Sequence, residues 1–236
     1  MFHLERRYFW LFFVLVVGLF LVIQVFLRLQ FVRKSRADPP VSPHILSREE
    51  WGARAISLVA PEEYGLFDPQ ANPEGVLYYS GELQQVLNTI VVHHSALSNA
   101  GPDEIQALHM DKRGFADVAY HFMIDSTGQI FEGRPIGVRG AHVQDYNTGS
   151  VGIVLLGNYN EEYPTDEQIT SLRDLVDYLR YTYAIRYLVG HRDYPDQSPV
   201  GTECPGDHVY PLLPGLAKEL GMKSSIKGYV QPDWAE

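Results

Sequence analysis

A run of β-branched residues that ends in two histidines constrains the fold of this chain more than any other stretch. Residues 89–95 spell T-I-V-V-H-H-S, a composition that predicts a buried strand ending at a functional site. Neighbouring strand residues face opposite sides of a sheet, so His93 and His94 cannot both bind one metal ion. One is a candidate ligand and the other faces elsewhere. Both also remain candidates for ordinary hydrogen-bonded groups at a strand end.

Two later segments supply partners for a strand-end histidine. His191 follows the apolar residues 187–189, and residues 202–206 contain Cys204, the single cysteine of the chain. Two histidines and a thiolate would give zinc three protein ligands and leave the fourth position to water, which is typical of catalytic zinc. A single cysteine excludes an intramolecular disulfide. Cys204 is otherwise a buried small hydrophobic residue or a nucleophile.

The charge distribution separates the N-terminus from the rest of the chain. The 236 residues have a net charge of −10. Residues 1–36 contain six basic residues and one acidic residue, a net charge of +5, so residues 37–236 carry −10 − 5 = −15. Nucleic-acid binding needs basic patches that replace phosphate counterions. We therefore expect no nucleic-acid partner.

An uncharged N-terminal run predicts a membrane anchor. Residues 8–27 contain no charged residue, and a helix of that length spans about 30 Å, the thickness of the bilayer hydrocarbon. We assign a signal anchor to residues 8–32, after a cytoplasmic N-terminus of residues 1–7. Residues 35–37 loosely fit a cleavage site but lie far beyond the apolar run, so the anchor is expected to stay uncleaved. Counting the flanking basic residues slightly favours a cytoplasmic C-terminal domain.

The remaining residues predict one folded domain. Residues 33–44 form a linker that proline stiffens, residues 45–221 the domain and residues 222–236 a polar tail. Within the domain we expect a β-hairpin with strands at 118–124 and 129–132, a buried strand at 150–156 and a helix from Asp166 to about Tyr183. Residues 59–86 are expected to be mostly loop, with a short strand at 76–79. Alternating strands and helices predict a single α/β domain, a central mixed β-sheet flanked by helices, preceded by an N-terminal transmembrane helix.

Nine short motifs follow one another between residues 47 and 206. They are S-R-E-E-W-G-A-R (47–54), I-V-V-H-H-S-A (90–96), L-H-M (108–110), D-V-A-Y-H-F (117–122), G-Q-I-F-E-G-R (128–134), G-A-H (140–142), Y-N-T-G-S-V-G-I (146–153), G-H-R-D (190–193) and T-E-C-P-G (202–206). In this order they resemble the zinc-dependent N-acetylmuramoyl-L-alanine amidases of the amidase-2 type, a family that includes the peptidoglycan recognition proteins. The resemblance covers roughly residues 47–220.

The resemblance implies a reaction and a cofactor. Members of the family hydrolyse the amide between the lactyl group of N-acetylmuramic acid and L-alanine of the stem peptide, so it implies peptidoglycan as the partner and Zn²⁺ as the cofactor. It assigns particular residues as follows: metal ligands His93, His191 and Cys204; catalytic residues Tyr120 and Thr202; candidates for substrate binding His94, His142 and Asn147. His109 and His121 are expected to be structural.

Three departures from the family pattern bear on this interpretation. Twelve residues separate His191 from Cys204, which implies a longer loop than in other members. Residues 95–101 lack the cysteine pair of vertebrate and insect recognition proteins, which favours the bacterial or phage branch. Val154 stands where some bacterial relatives carry a catalytic glutamate, which points to Tyr120 instead.

Competing functions remain. The main alternative is a non-catalytic peptidoglycan-binding module, a class that commonly lacks the cysteine ligand, and a third class is a cysteine hydrolase that uses Cys204 and His191. Polymeric murein lies outside the inner membrane. We therefore expect a single-pass protein of that membrane with its catalytic domain on the periplasmic side, although the count of flanking basic residues slightly favours a cytoplasmic domain.

Overall fold

The computed structural model describes residues 16–18, 24, 39–57, 59–60, 79, 81–195 and 201–226. The chain divides into two compact units, Met1–Pro40 and Val41–Glu236. Of the described residues, none belongs to a helix with both the length and the apolar character needed to cross a bilayer. The anchor predicted at residues 8–32 and the strand predicted at 76–79 lie outside the described residues, apart from 16–18, 24 and 79.

Six strands in the described part of the second unit form one mixed sheet. They are β1 (Ile45–Leu46), β2 (Thr89–His94), β3 (Phe122–Ile124), β4 (Ile130–Glu132), β5 (Ser150–Leu155) and β6 (Tyr187–Gly190). The order is β1-β4-β3-β5-β2-β6. All neighbours are parallel except β3 and β4, which form the predicted hairpin. The prediction of a single α/β domain with a central mixed sheet is confirmed.

The described residues from 81 onwards form four α-helices, α1 (Leu83–Val86), α2 (Pro102–Ala107), α3 (Asp166–Tyr183) and α4 (Leu213–Glu219). A π-helical turn at Leu108–Lys112 continues α2, and 3₁₀ turns lie at His191–Asp193 and Tyr210–Leu212. Helix α3 begins at the predicted residue because the Thr165 hydroxyl accepts a hydrogen bond from the backbone N–H of Gln168. It ends where Ala184 adopts a left-handed conformation, with φ 56°. Helix α1 lies at the end of the segment 59–86 predicted to be mostly loop, and most of that segment lies outside the described residues.

The first hairpin strand is shorter than predicted. Only Phe122–Ile124 pairs as a strand. Residues just before it bond to loops instead: Ala119 accepts from Ala141, and Tyr120 accepts from Arg134. The backbone therefore leaves the regular sheet near Tyr120.

The sheet is covered on both faces. On one face Ile90 and Val92 of β2 pack with Leu172 and Leu175 of α3 in the larger core. On the other face lies a second core of β3, β4, β5 and α2 residues, which includes Ile105. All six residues of β2 are buried, as the sequence predicts for this strand.

The parallel pairing of β2 and β6 places two histidines at one edge of the sheet. Val92 pairs with Gly190, so His93 is the next residue of β2 and His191 is the residue that directly follows β6. The carboxyl ends of neighbouring parallel strands are a common location for ligand sites in open α/β sheets. The fold thus positions two of the predicted ligands.

Candidate metal centre

Three side chains from separate segments converge beyond the ends of β2 and β6. Potential ligand atoms of His93, His191 and Cys204 all lie within 4.8 Å of one another. Nδ1 of His93 is 3.5 Å from Sγ of Cys204, and the ring centroids of His93 and His191 are 4.8 Å apart. The structure therefore brings together the three residues predicted as metal ligands.

The donor set and its spacing fit zinc. Zinc binds imidazole nitrogen at about 2.0–2.1 Å and thiolate sulfur at about 2.3 Å, and tetrahedral geometry then places the two donors about 3.5 Å apart. His93 Nδ1 and Cys204 Sγ have this separation, 3.5 Å. Two imidazoles and one thiolate leave a fourth position open, as catalytic zinc sites do. Zinc binding itself stays a prediction.

A hydrogen-bonded chain behind His93 fixes which ring nitrogen faces the site. Nε2 of His93 lies 3.0 Å from Nδ1 of His142, and Nε2 of His142 lies 3.4 Å from the Ser150 hydroxyl. A proton on Nε2 of each ring satisfies both contacts. The lone pair on Nδ1 of His93 then points towards Cys204, and such outer partners commonly orient metal-binding histidines.

Burial sets the charge of these groups. Burial, with His191 and His142 nearby, lowers the pKa of His93 well below its ordinary value, so its ring is neutral at pH 7. Burial raises the pKa of the Cys204 thiol to about 12, opposed by a hydrogen bond with the His94 backbone and by the charge of Arg192. Without a metal the sulfur therefore holds its proton, and metal binding must displace it.

Both predicted catalytic residues lie beside the ligands. The Tyr120 ring centroid is 5.1 Å from that of His93. Burial first, and Cys204 second, raise the pKa of Tyr120 above its ordinary value, so its hydroxyl remains a hydrogen-bond donor at pH 7. The Thr202 hydroxyl oxygen accepts a hydrogen bond from the Cys204 backbone N–H at 3.2 Å. A hydroxyl that accepts one hydrogen bond can also donate its own hydrogen, so Thr202 can act as a donor to a bound molecule.

Comparison with known proteins identifies the family. The profile of the N-acetylmuramoyl-L-alanine amidase family, Amidase_2, matches residues 83–207. The chain belongs to this family. It is 32% identical over 177 residues to peptidoglycan-recognition protein SC2 of Drosophila melanogaster, covering 70% of this chain and 82% of that protein.

Solved structures of amidase-family proteins resemble it as well. The N-acetylmuramoyl-L-alanine amidase LysC from Clostridium intestinale is 30% identical with a TM-score of 0.56, covering 77% of this chain and 100% of LysC. A mutant of Drosophila PGRP-LB in complex with tracheal cytotoxin is 30% identical with a TM-score of 0.54, covering 71% of this chain and 90% of that chain. Such relatives associate the chain with peptidoglycan cleavage or recognition.

Three residues of this amidase-family protein were predicted to bind substrate, and each has a partner inside the protein. Nδ1 of His94 accepts from the Tyr159 backbone N–H at 3.2 Å, on the face that packs against α3. Oδ1 of Asn147 accepts from the backbone N–H groups of His142 and Val143 at 2.7 and 2.9 Å. His142 is 6% exposed. Substrate contact by these residues stays a prediction.

The role of His142 behind His93 is the functional feature that sequence reasoning missed. A local signal exists in strand β5, where glycine interrupts the β-branched run at residue 152. A Cβ atom at Gly152 would lie 2.5 Å from Cδ2 of His142. Glycine inside a strand often marks such a close approach.

His109 and His121 have the buried, hydrogen-bonded environment expected of structural histidines. Nδ1 of His109 accepts from the Ala119 backbone N–H at 3.0 Å, and burial lowers its pKa to about 3. His121 bonds to the Val138 carbonyl at 2.9 Å and to the Gly152 N–H at 3.0 Å. Burial lowers its pKa to about 4.

Proposed function

We propose that this protein is a zinc-dependent amidase that hydrolyses the bond between N-acetylmuramic acid and L-alanine in peptidoglycan. The observation that carries the proposal is the convergence of His93, His191 and Cys204 within 4.8 Å. Its similarity to LysC, an N-acetylmuramoyl-L-alanine amidase, supports the reaction. Its similarity to PGRP-LB, solved with tracheal cytotoxin, supports a peptidoglycan ligand.

The protein supplies the metal ligands and their orientation. Bound zinc would act as a Lewis acid and lower the pKa of a bound water towards about 7. The neutral ring of His93 offers its Nδ1 lone pair, because its protonated Nε2 donates a hydrogen bond to Nδ1 of His142. Cys204 gives up its proton when it becomes a ligand. His93 and Cys204 therefore each have one defined protonation state in the loaded site.

Tyr120 and Thr202 would assist the attack on the amide. The carbonyl oxygen gains negative charge as the tetrahedral intermediate forms, and a fixed donor close to it lowers the barrier. Tyr120 keeps its proton at neutral pH, so it can donate to that oxygen or to the attacking water. Thr202 supplies a second hydroxyl on the segment that carries Cys204.

A non-catalytic recognition module is the second candidate. Recognition proteins are among the relatives, at 32% identity for SC2. Non-catalytic modules commonly lack the cysteine ligand, so the presence of Cys204, with its Sγ 3.5 Å from Nδ1 of His93, favours the catalytic candidate. A cysteine hydrolase fits less well, because burial raises the pKa of Cys204 to about 12, whereas catalytic thiols have a lowered pKa.

For the location, we propose a single-pass protein of the inner membrane with the domain on the periplasmic side. The uncharged run of residues 8–27 supports an anchor, and the substrate lies outside that membrane. A reporter that is active only in the periplasm, fused to the C-terminus, is expected to be active. A silent fusion contradicts this orientation.

One experiment separates the candidate functions. The purified full-length chain is incubated with murein, with and without a chelator, and released stem peptides with a free L-alanine amine are quantified. Release that stops with the chelator and returns with zinc supports the amidase. Cys204→Ala is expected to lose zinc and activity, whereas His44→Ala, at an exposed position, serves as the matched control. Binding without release supports recognition, and release that survives metal removal supports a cysteine hydrolase.

A further inference from the structure

Arg192, the residue after His191, bonds to the loop that carries Cys204. Its backbone N–H donates to the Cys204 carbonyl oxygen at 3.0 Å, and its Nε points to the same oxygen at 3.5 Å. Nη1 pairs with Oδ1 of Asp207 at 2.9 Å, and Nη2 donates to the Glu203 carbonyl. One residue therefore contacts the loop at Cys204 itself and on both sides of it.

We propose that Arg192 is a positioning residue that fixes the sulfur of Cys204 at the metal site. This inference rests on the proposed zinc site. Twelve residues separate His191 from Cys204, and holding the two ends of such a loop together costs conformational entropy. Arg192 joins the beginning of this loop directly to its end. The thiol is then held beside His93 before metal binds, so less of the metal's binding free energy is used to order the loop.

Neighbouring residues hold the Arg192 side chain in place. The Arg192 guanidinium carbon lies 4.8 Å from the centroid of the Tyr210 ring. The Tyr210 hydroxyl donates to Asp193 at 2.6 Å, and Asp193 accepts from the Gly190 N–H at 2.8 Å. A Cβ atom at Gly190 would lie 2.9 Å from Cδ of Pro205. The segments of His191 and Cys204 therefore pack with no space between them.

The geometry also indicates why arginine stands at this position. A planar guanidinium presents several N–H groups in fixed directions, whereas lysine offers a single flexible point charge. Arg192 uses three of its nitrogens on Cys204, Glu203 and Asp207. Its own side chain is 22% exposed and that of Asp207 is 70% exposed, so water screens the ion pair and the directed bonds to the carbonyl oxygens of Cys204 and Glu203 carry the positioning. Lysine would keep the charge and lose most of the contacts.

The test measures metal binding by the full-length chain and by Arg192→Ala, Arg192→Lys and Asp207→Asn. Zinc affinity is obtained by competition with a chromophoric chelator, and cobalt(II) is added to each metal-free protein to record the thiolate-to-metal absorption band. We expect Arg192→Ala to lower zinc affinity by about tenfold or more and to weaken the band, with Arg192→Lys intermediate. Arg173→Ala, which removes a 45%-exposed arginine that pairs with Asp174, is the matched control and should change neither.

Circular dichroism of the metal-free proteins checks that the variants fold. Wild-type zinc affinity and an unchanged thiolate band in folded Arg192→Ala would overturn the proposal. If Arg192→Ala does not fold, the other two variants decide, and wild-type affinity in both is the overturning result. A wild-type chain that takes up no zinc contradicts the proposed function instead, so the two failures are distinguishable.

Discussion

Nε2 of His93 lies 3.0 Å from Nδ1 of His142, and this contact leaves Nδ1 of His93 as the ring atom that faces Cys204. His142 therefore selects the tautomer and the ring orientation of the proposed metal ligand His93. We expect His142→Ala to lower zinc affinity by about 10- to 100-fold while Cys204 remains in place. Chelator competition measures the loss, and the exposed His44→Ala variant is the control. Unchanged affinity would show that His93 needs no such partner.

Tyr120→Phe separates catalysis from binding. Phenylalanine keeps the ring beside His93 but removes the hydroxyl, so we expect kcat to fall by about 100-fold or more with zinc content and murein binding unchanged. Peptide release and murein co-sedimentation measure the two properties. Tyr181→Phe, at a 55%-exposed tyrosine, is the matched control. A wild-type kcat in Tyr120→Phe contradicts a catalytic role for the hydroxyl.

The buried histidines predict how the stability of the metal-free protein depends on pH. Burial lowers the pKa of five of them below the ordinary value of 6.5: His93, His94, His109, His121 and His142. Below pH 6.5 the unfolded chain binds more protons than the folded chain, so the free energy of unfolding falls as pH falls from 6.5 towards 4. Each histidine contributes about 1.4 kcal/mol per pH unit in this range.

Urea unfolding with a chelator at pH 7.5, 6.5 and 5.5 measures this dependence. His121→Asn is expected to reduce the slope by about one proton, because its pKa in the folded state is lowered to about 4. A free energy of unfolding that stays constant between pH 7 and 5.5 is incompatible with this set of neutral histidines.

Gly152→Ala tests the space that holds His142. The new Cβ atom would lie 2.5 Å from Cδ2 of His142, so the imidazole must leave the position in which it bonds to His93. We expect a loss of stability of about 1–3 kcal/mol together with weaker zinc binding. Gly215→Ala in α4, where an added Cβ meets nothing within 4 Å, is the control and should not destabilise the protein. Equal zinc affinity in both variants would show that the site tolerates a shifted His142.

The parts of the fold that the sequence predicts have strong local signals. Helix α3 has a Thr165 cap and an apolar stripe, and its observed bounds, Asp166–Tyr183, are those predicted. Strand β2 consists of β-branched residues that end in the two histidines. Helix α1 has four residues and strand β1 has two, which is too short for any periodicity to develop. Strand β1 also pairs with β4 far along the chain, and no local pattern specifies such a partner.

In the candidate site, too, the residues that stand in local motifs were predictable, and the contacts between distant residues were not. His93, His191 and Cys204 stand in short motifs that point to metal ligands, and the structure brings them within 4.8 Å. The support that His142 gives to His93 depends on two side chains 49 positions apart. It also depends on a glycine in a third segment. Gly152 indicates a close approach in the sequence, but its partner is identified only in the folded structure.

Cys204 lies in a connecting loop and not in the sheet, where its neighbour His93 belongs to a central strand. Cys204 belongs to neither of the two cores described above, so replacing it removes no strand pairing and no core side chain. A single substitution there would keep the strands and both cores in place while removing the sulfur that the proposed zinc site needs. The proposed amidase and a non-catalytic recognition module would thus be separated by few substitutions in this fold.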